Sequence, residues 1–182
     1  IQKLVLDNVR SDKNIIAMSK TGSGKTHAFL LPIFNDLVEE EKSCQAVIVA
    51  PTLELARQIY KVAQHIASFS PNTITVKAYY GGTDMEREME KIKSNPPQIV
   101  VATPGKLVDL AIDENILKIH LAKYFVMDEA DMIADSFLED VFKISEKFKE
   151  AKKMVFSATI RESLEPLLRK FLSNTITLEV EK

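Results

Sequence analysis

A chain of 182 residues, 46% of them hydrophobic, is the size of one ordinary globular domain and long enough to bury roughly 70% of its unfolded surface. The 24 Lys and Arg against 26 Asp and Glu give a formal net charge of −2, which excludes a protein that holds nucleic acid by bulk positive charge; any such contact has to be local. Apolar stretches of a few residues fall far short of the roughly 20 a membrane helix needs, no signal peptide opens the chain, and the lone Cys44 has neither a disulfide partner nor a Cys/His cluster beside it. The expectation is a soluble, cytoplasmic protein without a zinc site, a nuclear location staying open.

Short β-branched runs alternate with longer amphipathic stretches. The sequence opens inside an apparent helix and passes through a strand at 14–18 and the loop Ser19-Lys20-Thr21-Gly22-Ser23-Gly24-Lys25-Thr26 into a helix at 25–39, whose charged end at 39–42 reads as a solvated face. A strand at 46–50 then leads through Pro51-Thr52 into a helix at 53–69. One at 74–79 leads through Gly81-Gly82 into a helix at 84–93, and one at 98–102 through Thr103-Pro104-Gly105 into a helix at 104–112. The strand at 124–127 is followed by Asp128-Glu129-Ala130-Asp131 and a helix at 137–149. The strand at 154–156 is followed by Ser157-Ala158-Thr159, a helix at 161–172 and a last strand at 176–180. Most of these strands are apolar throughout, as strands covered on both faces are. The alternation predicts an α/β fold, a mainly parallel sheet of about seven strands with helices on both faces. Without an internal repeat or a Pro/Gly-rich linker, residues 1–182 are expected to form one domain, with ends like those of a lobe belonging to a longer protein.

Ligands of such sheets bind at the carboxyl ends of the strands, so the six motifs can share one face. In Thr21-Gly22-Ser23-Gly24-Lys25-Thr26 the glycines let successive backbone N–H groups turn inward on phosphate oxygens at a helix start. Lys25 would reach the β and γ phosphates and the Thr26 hydroxyl would ligate Mg²⁺. The generic pattern has glycine six positions before the lysine, where this chain has Ser19. A triphosphate site needs a carboxylate on a neighbouring strand: Asp128 is placed to hold Mg²⁺ and Glu129 to orient and deprotonate a water. His27 reads as a bystander on the helix surface. Thr103 can cap a helix led by Pro104, and Pro51-Thr52 opens the preceding helix in a similar way, each leaving N–H groups for a phosphate.

Taken together, Asp128-Glu129-Ala130-Asp131, Ser157-Ala158-Thr159, Pro51-Thr52-Leu53-Glu54-Leu55-Ala56, Gly81-Gly82, Thr103-Pro104-Gly105-Lys106 and the phosphate loop resemble the first RecA-like lobe of DEAD-box RNA helicases, over essentially the whole chain. The resemblance implies an ATP- and Mg²⁺-dependent enzyme in which Gln2 selects adenine. It implies that Pro51, Thr52, Gly82, Thr103, Gly105 and Lys106 contact the RNA backbone without reading sequence. It further implies that Ser157 and Thr159 bond to Asp131 and tie the nucleotide site to movement between lobes. A second RecA-like lobe, outside this chain, would supply arginine fingers and half the RNA groove, so residues 1–182 alone are expected to be nearly inactive. Two positions depart from the family pattern: Leu53 and Lys106 each stand where arginine is usual, which implies altered RNA binding or a partner protein that supplies affinity. The alternatives are an ATP-regulated RNA-clamping scaffold and a DNA-directed superfamily 2 motor.

Overall fold

The structure, a computed structural model, describes residues 1–11, 13–18, 24–148 and 150–179. Seven strands form one sheet: β1 (Asn14–Met18), β2 (Ala46–Val49), β3 (Val76–Tyr79), β4 (Ile99–Ala102), β5 (Tyr124–Met127), β6 (Lys152–Ser157) and β7 (Thr175–Glu179). Their order is β3-β4-β2-β5-β6-β1-β7 and every neighbouring pair is parallel. The expected α/β class is what forms.

Alternate residues along each strand face opposite layers. Val47, Val49, Val100, Ala102, Phe125, Met127 and Val155 pack into one apolar core; Ala46, Ile48, Ile99, Val101, Val126, Met154 and Phe156 pack into the other. The first core is covered by α4 (Met85–Ser94), α5 (Pro104–Val108), α6 (Asp135–Ser145) and α7 (Glu165–Phe171). The second is covered by α1 (Gln2–Val9), α2 (Lys25–Asp36) and α3 (Leu53–Ala67). A strand buried on both faces has no polar side to show, which is why these runs read as continuously apolar.

Register fixes where the strands end. Met18 pairs with Ser157, Val155 with Met127, Met127 with Val49, Val49 with Ala102, and Ala102 with Tyr79. Each of these residues is the last of its strand or lies within two of it, so the motifs that follow leave the sheet along one edge.

Several boundaries differ from the sequence reading. Helix α2 stops at Asp36 rather than 39 because Leu37 turns extended and the buried Gln45 side chain takes both backbone groups of Val38, accepting its N–H at 2.9 Å and donating to its carbonyl at 2.8 Å. Gln98 anchors the same connection from β4, donating to the carbonyls of Glu39 and Glu41 at 3.0 Å each. Helix α5 widens after Val108 into a π turn, Asp109–Asp113, closed by Glu114 N–H on the Asp109 carbonyl at 2.8 Å. Helix α6 begins at Asp135 and ends at Ser145, and residues 161–164 form a turn before α7. Cys44 is buried, which pushes its thiol up to about 12 and keeps it un-ionised, in line with a packing role. Among the described residues no helix is long and apolar enough to cross a membrane.

Phe156 is fully buried on β6 with its ring tilted against Phe29 of α2, centroids 5.4 Å apart. Phe156→Ala should cost about 3–5 kcal/mol, a large part of a domain's total stability, read as a lowered urea midpoint with an unchanged slope.

Candidate functional site

Beyond the carboxyl ends of β1, β5 and β6 sits a cluster of buried charge. Gly24 caps α2 with φ of +81°, a left-handed backbone that favours glycine, and a Cβ built there would displace the tip of the Gln2 side chain, 2.7 Å away. Lys25, the first residue of α2, is only 5% exposed. Its ammonium pairs with the Glu129 carboxylate and lies 3.5 Å from Oδ1 of Asp128. Asp128 and Glu129 are 4% and 3% exposed, and Asp128 Oδ1 also accepts the Glu129 N–H at 3.0 Å. Glu129 turns the chain with φ of +49°, a conformation that L residues adopt at a cost and that here aims its side chain back over the sheet edge at Lys25. Burial holds the Asp128 carboxyl above the ordinary range; the Lys25 charge and hydrogen bond pull against that rise.

The neighbouring residues fasten this acidic turn. Asp131 lies in the 3₁₀ turn Ala130–Met132 and donates its N–H to the Ser157 hydroxyl at 3.2 Å. The Thr159 hydroxyl donates to the side chain of Asp131, Oδ2, at 3.1 Å, and the Ser157 hydroxyl donates a hydrogen bond to the Thr159 carbonyl at 2.5 Å. Oδ1 of Asp131 is buried with no hydrogen-bond partner among the described residues. Sequence reasoning missed Arg161, whose guanidinium donates to the carbonyls of Asp131 and Ile133 and pairs with Asp135 at 2.9 Å. The available signal was a lone cation two residues beyond Thr159, in a segment read as plain helix.

Gln2 donates from its side chain to the Gly24 carbonyl at 3.3 Å, which joins the start of α1 to the start of α2. Thr26 is half-buried one residue after Lys25. Thr21, Gly22 and Ser23 lie outside the described residues.

A second feature opens beside the first. A cavity of about 420 Å³ is lined by Pro51, Gly81, Thr103, Pro104, Gly105 and Lys106 on one side and by Met132, Ile133, Ala134 and Phe137 on the other. Thr52 caps α3 through its hydroxyl, which accepts the Leu55 N–H at 3.2 Å. Thr103 occupies the corresponding place before α5, but contrary to the expected capping its hydroxyl accepts no bond from that helix: with Pro104 leading, α5 starts on backbone geometry alone. Gly82 has φ of +86° and an exposed surface, next to Gly81 at the cavity wall. Lys106, expected to contact the RNA backbone, has its charge engaged within the protein. It is 7% exposed, paired with Glu88 at 2.7 Å. Leu53 is half-buried in the first turn of α3.

Comparison with known proteins agrees with this arrangement. The family model described as DEAD/DEAH box helicase matches residues 1–167. Among curated relatives, the DEAD-box ATP-dependent RNA helicase CshB of Listeria monocytogenes is 44% identical over 176 residues, covering 96% of this chain and 40% of the relative. The ATP-dependent RNA helicase eIF4A of Debaryomyces hansenii is 36% identical, covering 100% of this chain and 45% of the relative. Among solved structures, a DEAD box protein from Methanococcus jannaschii superposes with a TM-score of 0.85 at 29% identity, over 98% of this chain and 47% of that one. S. cerevisiae Dbp5 bound to Nup159, Gle1, IP6 and ADP superposes at 0.86 with 30% identity, over 100% of this chain and 48% of that one. The chain thus spans less than half the length of each of these proteins.

Removing the buried cation isolates its contribution. Lys25→Met leaves Asp128 and Glu129 buried without it, and the loss at neutral pH should be about 3 kcal/mol. With Lys25 gone, burial and Asp131 raise the Asp128 carboxyl unopposed, so the folded variant binds protons more readily than its unfolded chain. Its deficit against wild type should therefore shrink as pH falls from 7 toward about 5, as measured by urea titrations across that window.

Proposed function

The chain belongs to the DEAD/DEAH box helicase family, and on that premise we propose that residues 1–182 are the nucleotide-binding lobe of an ATP-dependent RNA helicase, an RNA-dependent ATPase that separates short duplexes locally. The observation that carries the reading is the buried cluster of Lys25, Asp128 and Glu129, a cation and two acids at the foot of a phosphate loop on the sheet's carboxyl edge. Glu129 pairs with Lys25 and offsets its charge. A triphosphate entering the loop supplies a competing set of anionic oxygens, takes over the ammonium, and frees Glu129 to accept a proton from water.

The donor set fits magnesium. Asp128 offers a hard carboxylate oxygen and Thr26 a hydroxyl, and no group of three or more His, Cys, Asp or Glu able to hold a metal occurs among the described residues. An ion that completes its shell with phosphate oxygens and water needs no more protein ligands than these. Magnesium would supply charge neutralisation at the β and γ phosphates. Thr21, Gly22, Ser23 and Gly24 would offer backbone N–H groups, and Gln2 the adenine contact.

RNA is assigned to the cavity beside this cluster, with Pro51, Thr52, Gly82, Thr103 and Gly105 contacting the sugar-phosphate backbone. Gly81 supports this: a Cβ there would meet nothing within 4 Å and its φ is not left-handed, so the fold does not demand glycine, whereas close approach of a polymer would. Asp131, Ser157 and Thr159 couple the two sites, and the unpartnered Asp131 Oδ1 is a ready acceptor for a donor brought by a second RecA-like lobe. That lobe would also bring arginine fingers, each contributing on the order of 10³ to 10⁵ in rate, so the lobe alone should turn over ATP very slowly. A regulatory protein is a further proposed partner of the full-length enzyme; the Dbp5 to which this chain is similar is bound to Gle1 and Nup159.

Glu129→Gln in the full-length protein should keep Mg²⁺-ATP binding and lose hydrolysis by about 10² to 10⁴, since the near-isosteric amide cannot take a proton. Wild-type turnover in that variant would place the base elsewhere. In competition assays RNA homopolymers of different bases should bind alike and DNA of equal length poorly, because contacts to phosphate and 2′-hydroxyl ignore the base. Equal competition by DNA would favour the DNA-directed motor, and ATP-dependent RNA retention without turnover in wild type the clamping scaffold.

A further inference from the structure

Lys106, Glu88 and Thr83 form a closed triangle of contacts. The Lys106 ammonium lies 2.7 Å from Glu88 Oε1 and donates to the Thr83 hydroxyl at 3.1 Å, and that hydroxyl donates to the same Glu88 oxygen at 2.7 Å. The three side chains come from three segments: Thr83 from the turn after β3, Glu88 from α4, and Lys106 from α5. Lys106 is 7% exposed and the Glu88 side chain 18% exposed, so the pair sits largely out of water, where an ammonium without its carboxylate is costly.

Before this turn, Thr103 N–H donates to the Tyr79 carbonyl at 3.0 Å and Arg57 lies over the Tyr80 ring, and the Thr83 hydroxyl lies 3.2 Å from the Tyr80 carbonyl; beyond Tyr80 the triangle is what ties the glycines across to α5. The turn follows β3, one of the two edge strands of the sheet, and a Cβ at either Gly81 or Gly82 would meet nothing within 4 Å. Gly81 and the segment Thr103–Lys106 nonetheless line the same cavity. The Lys106 to Thr83 contact reaches from one of these walls to the other.

We infer that Glu88, Thr83 and Lys106 are positioning residues for RNA binding: a buried ion pair and a bridging hydroxyl that hold the Gly81–Gly82 turn at a fixed distance from the Thr103–Gly105 wall, so that both present backbone groups to one strand. The inference rests on the RNA reading above. It gives Lys106 a role opposite to that of a surface cation. Its charge is neutralised inside the protein and adds nothing to phosphate attraction, and Glu88, an acid beside a polyanion's path, favours binding through the order it imposes.

The sign of one substitution separates the two roles. If Lys106 attracts phosphate, Glu88→Gln removes an opposing charge and frees the ammonium, so RNA should bind more tightly, with a salt dependence steeper by about 0.7 in the logarithmic slope for one added single-strand phosphate contact. If the triangle positions the turn, Glu88→Gln should weaken binding on the order of tenfold with an unchanged slope. Thr83→Val, at an exposed position where misfolding is not a concern, should weaken binding several-fold, again with an unchanged slope.

The measurement is fluorescence titration of single-stranded oligouridylate into the full-length protein with Mg²⁺ and a non-hydrolysable ATP analogue, over a series of salt concentrations. Nucleotide affinity without RNA and thermal unfolding serve as controls, and the exchanged pair Glu88→Lys with Lys106→Glu should recover part of the lost affinity. Tighter binding or a steeper slope in Glu88→Gln, or wild-type behaviour in both Glu88→Gln and Thr83→Val, would overturn the inference and leave the helicase reading standing. Failure of the wild-type protein to bind oligouridylate at all would instead overturn that reading.

Discussion

Parallel pairing in a single register is the constraint on which the rest of this structure depends. Because Met18 sits opposite Ser157, Val155 opposite Met127, and Met127 opposite Val49, the chain leaves the sheet along one line, strand after strand. A slip of one residue in any of these pairs would turn that strand's side chains to the other core and withdraw its loop from the edge. Segments more than a hundred residues apart in sequence, such as Lys25 and Glu129, meet only because of this alignment.

What the alignment assembles is a set of buried charges in balance. Lys25 is offset by Glu129 and Asp128, and Lys106 by Glu88; each cation is less than a tenth exposed. The two arrangements have opposite consequences. The Lys25 cluster sits where a triphosphate would enter, so its internal pairing is one that a ligand can exchange. The Lys106 cluster ties an edge turn to a neighbouring helix, so its pairing shapes the surface instead. On the proposed reading, a chain of net charge −2 binds two phosphate-bearing ligands with backbone groups and one placed cation, Lys25, in place of a basic surface.

Much of this was legible in the sequence, for physical reasons that also mark the limits. Runs such as Val47–Val49 and Val100–Ala102 read as covered strands because burial on both faces leaves no room for polar residues, and the motifs could be placed because each follows such a run. The end of α2 was not legible: it is set by Gln45, which competes for Val38 from nine residues beyond the helix. The π turn after Val108 leaves a helical pattern of side chains intact while changing the hydrogen bonds beneath it. Arg161 looked like part of a helix because local pattern cannot show that its guanidinium is engaged by the carbonyls of Asp131 and Ile133. The pairing of Lys106, expected only as an RNA-backbone contact, was not legible because nothing local to it announces Glu88, eighteen residues earlier and on another helix.

On the proposed reading, one edge of the sheet carries a nucleotide site and an RNA site that feel each other through the bonded residues Asp131, Ser157 and Thr159. The direct measurement is the RNA affinity of the full-length protein with and without a Mg²⁺-bound, non-hydrolysable ATP analogue. The account predicts tighter RNA binding when the nucleotide is present, by a factor within about 5 to 150, and by linkage the same factor in nucleotide affinity when RNA is present. Equal RNA affinity in the two conditions would mean that the edge holds two independent sites, and would contradict the account.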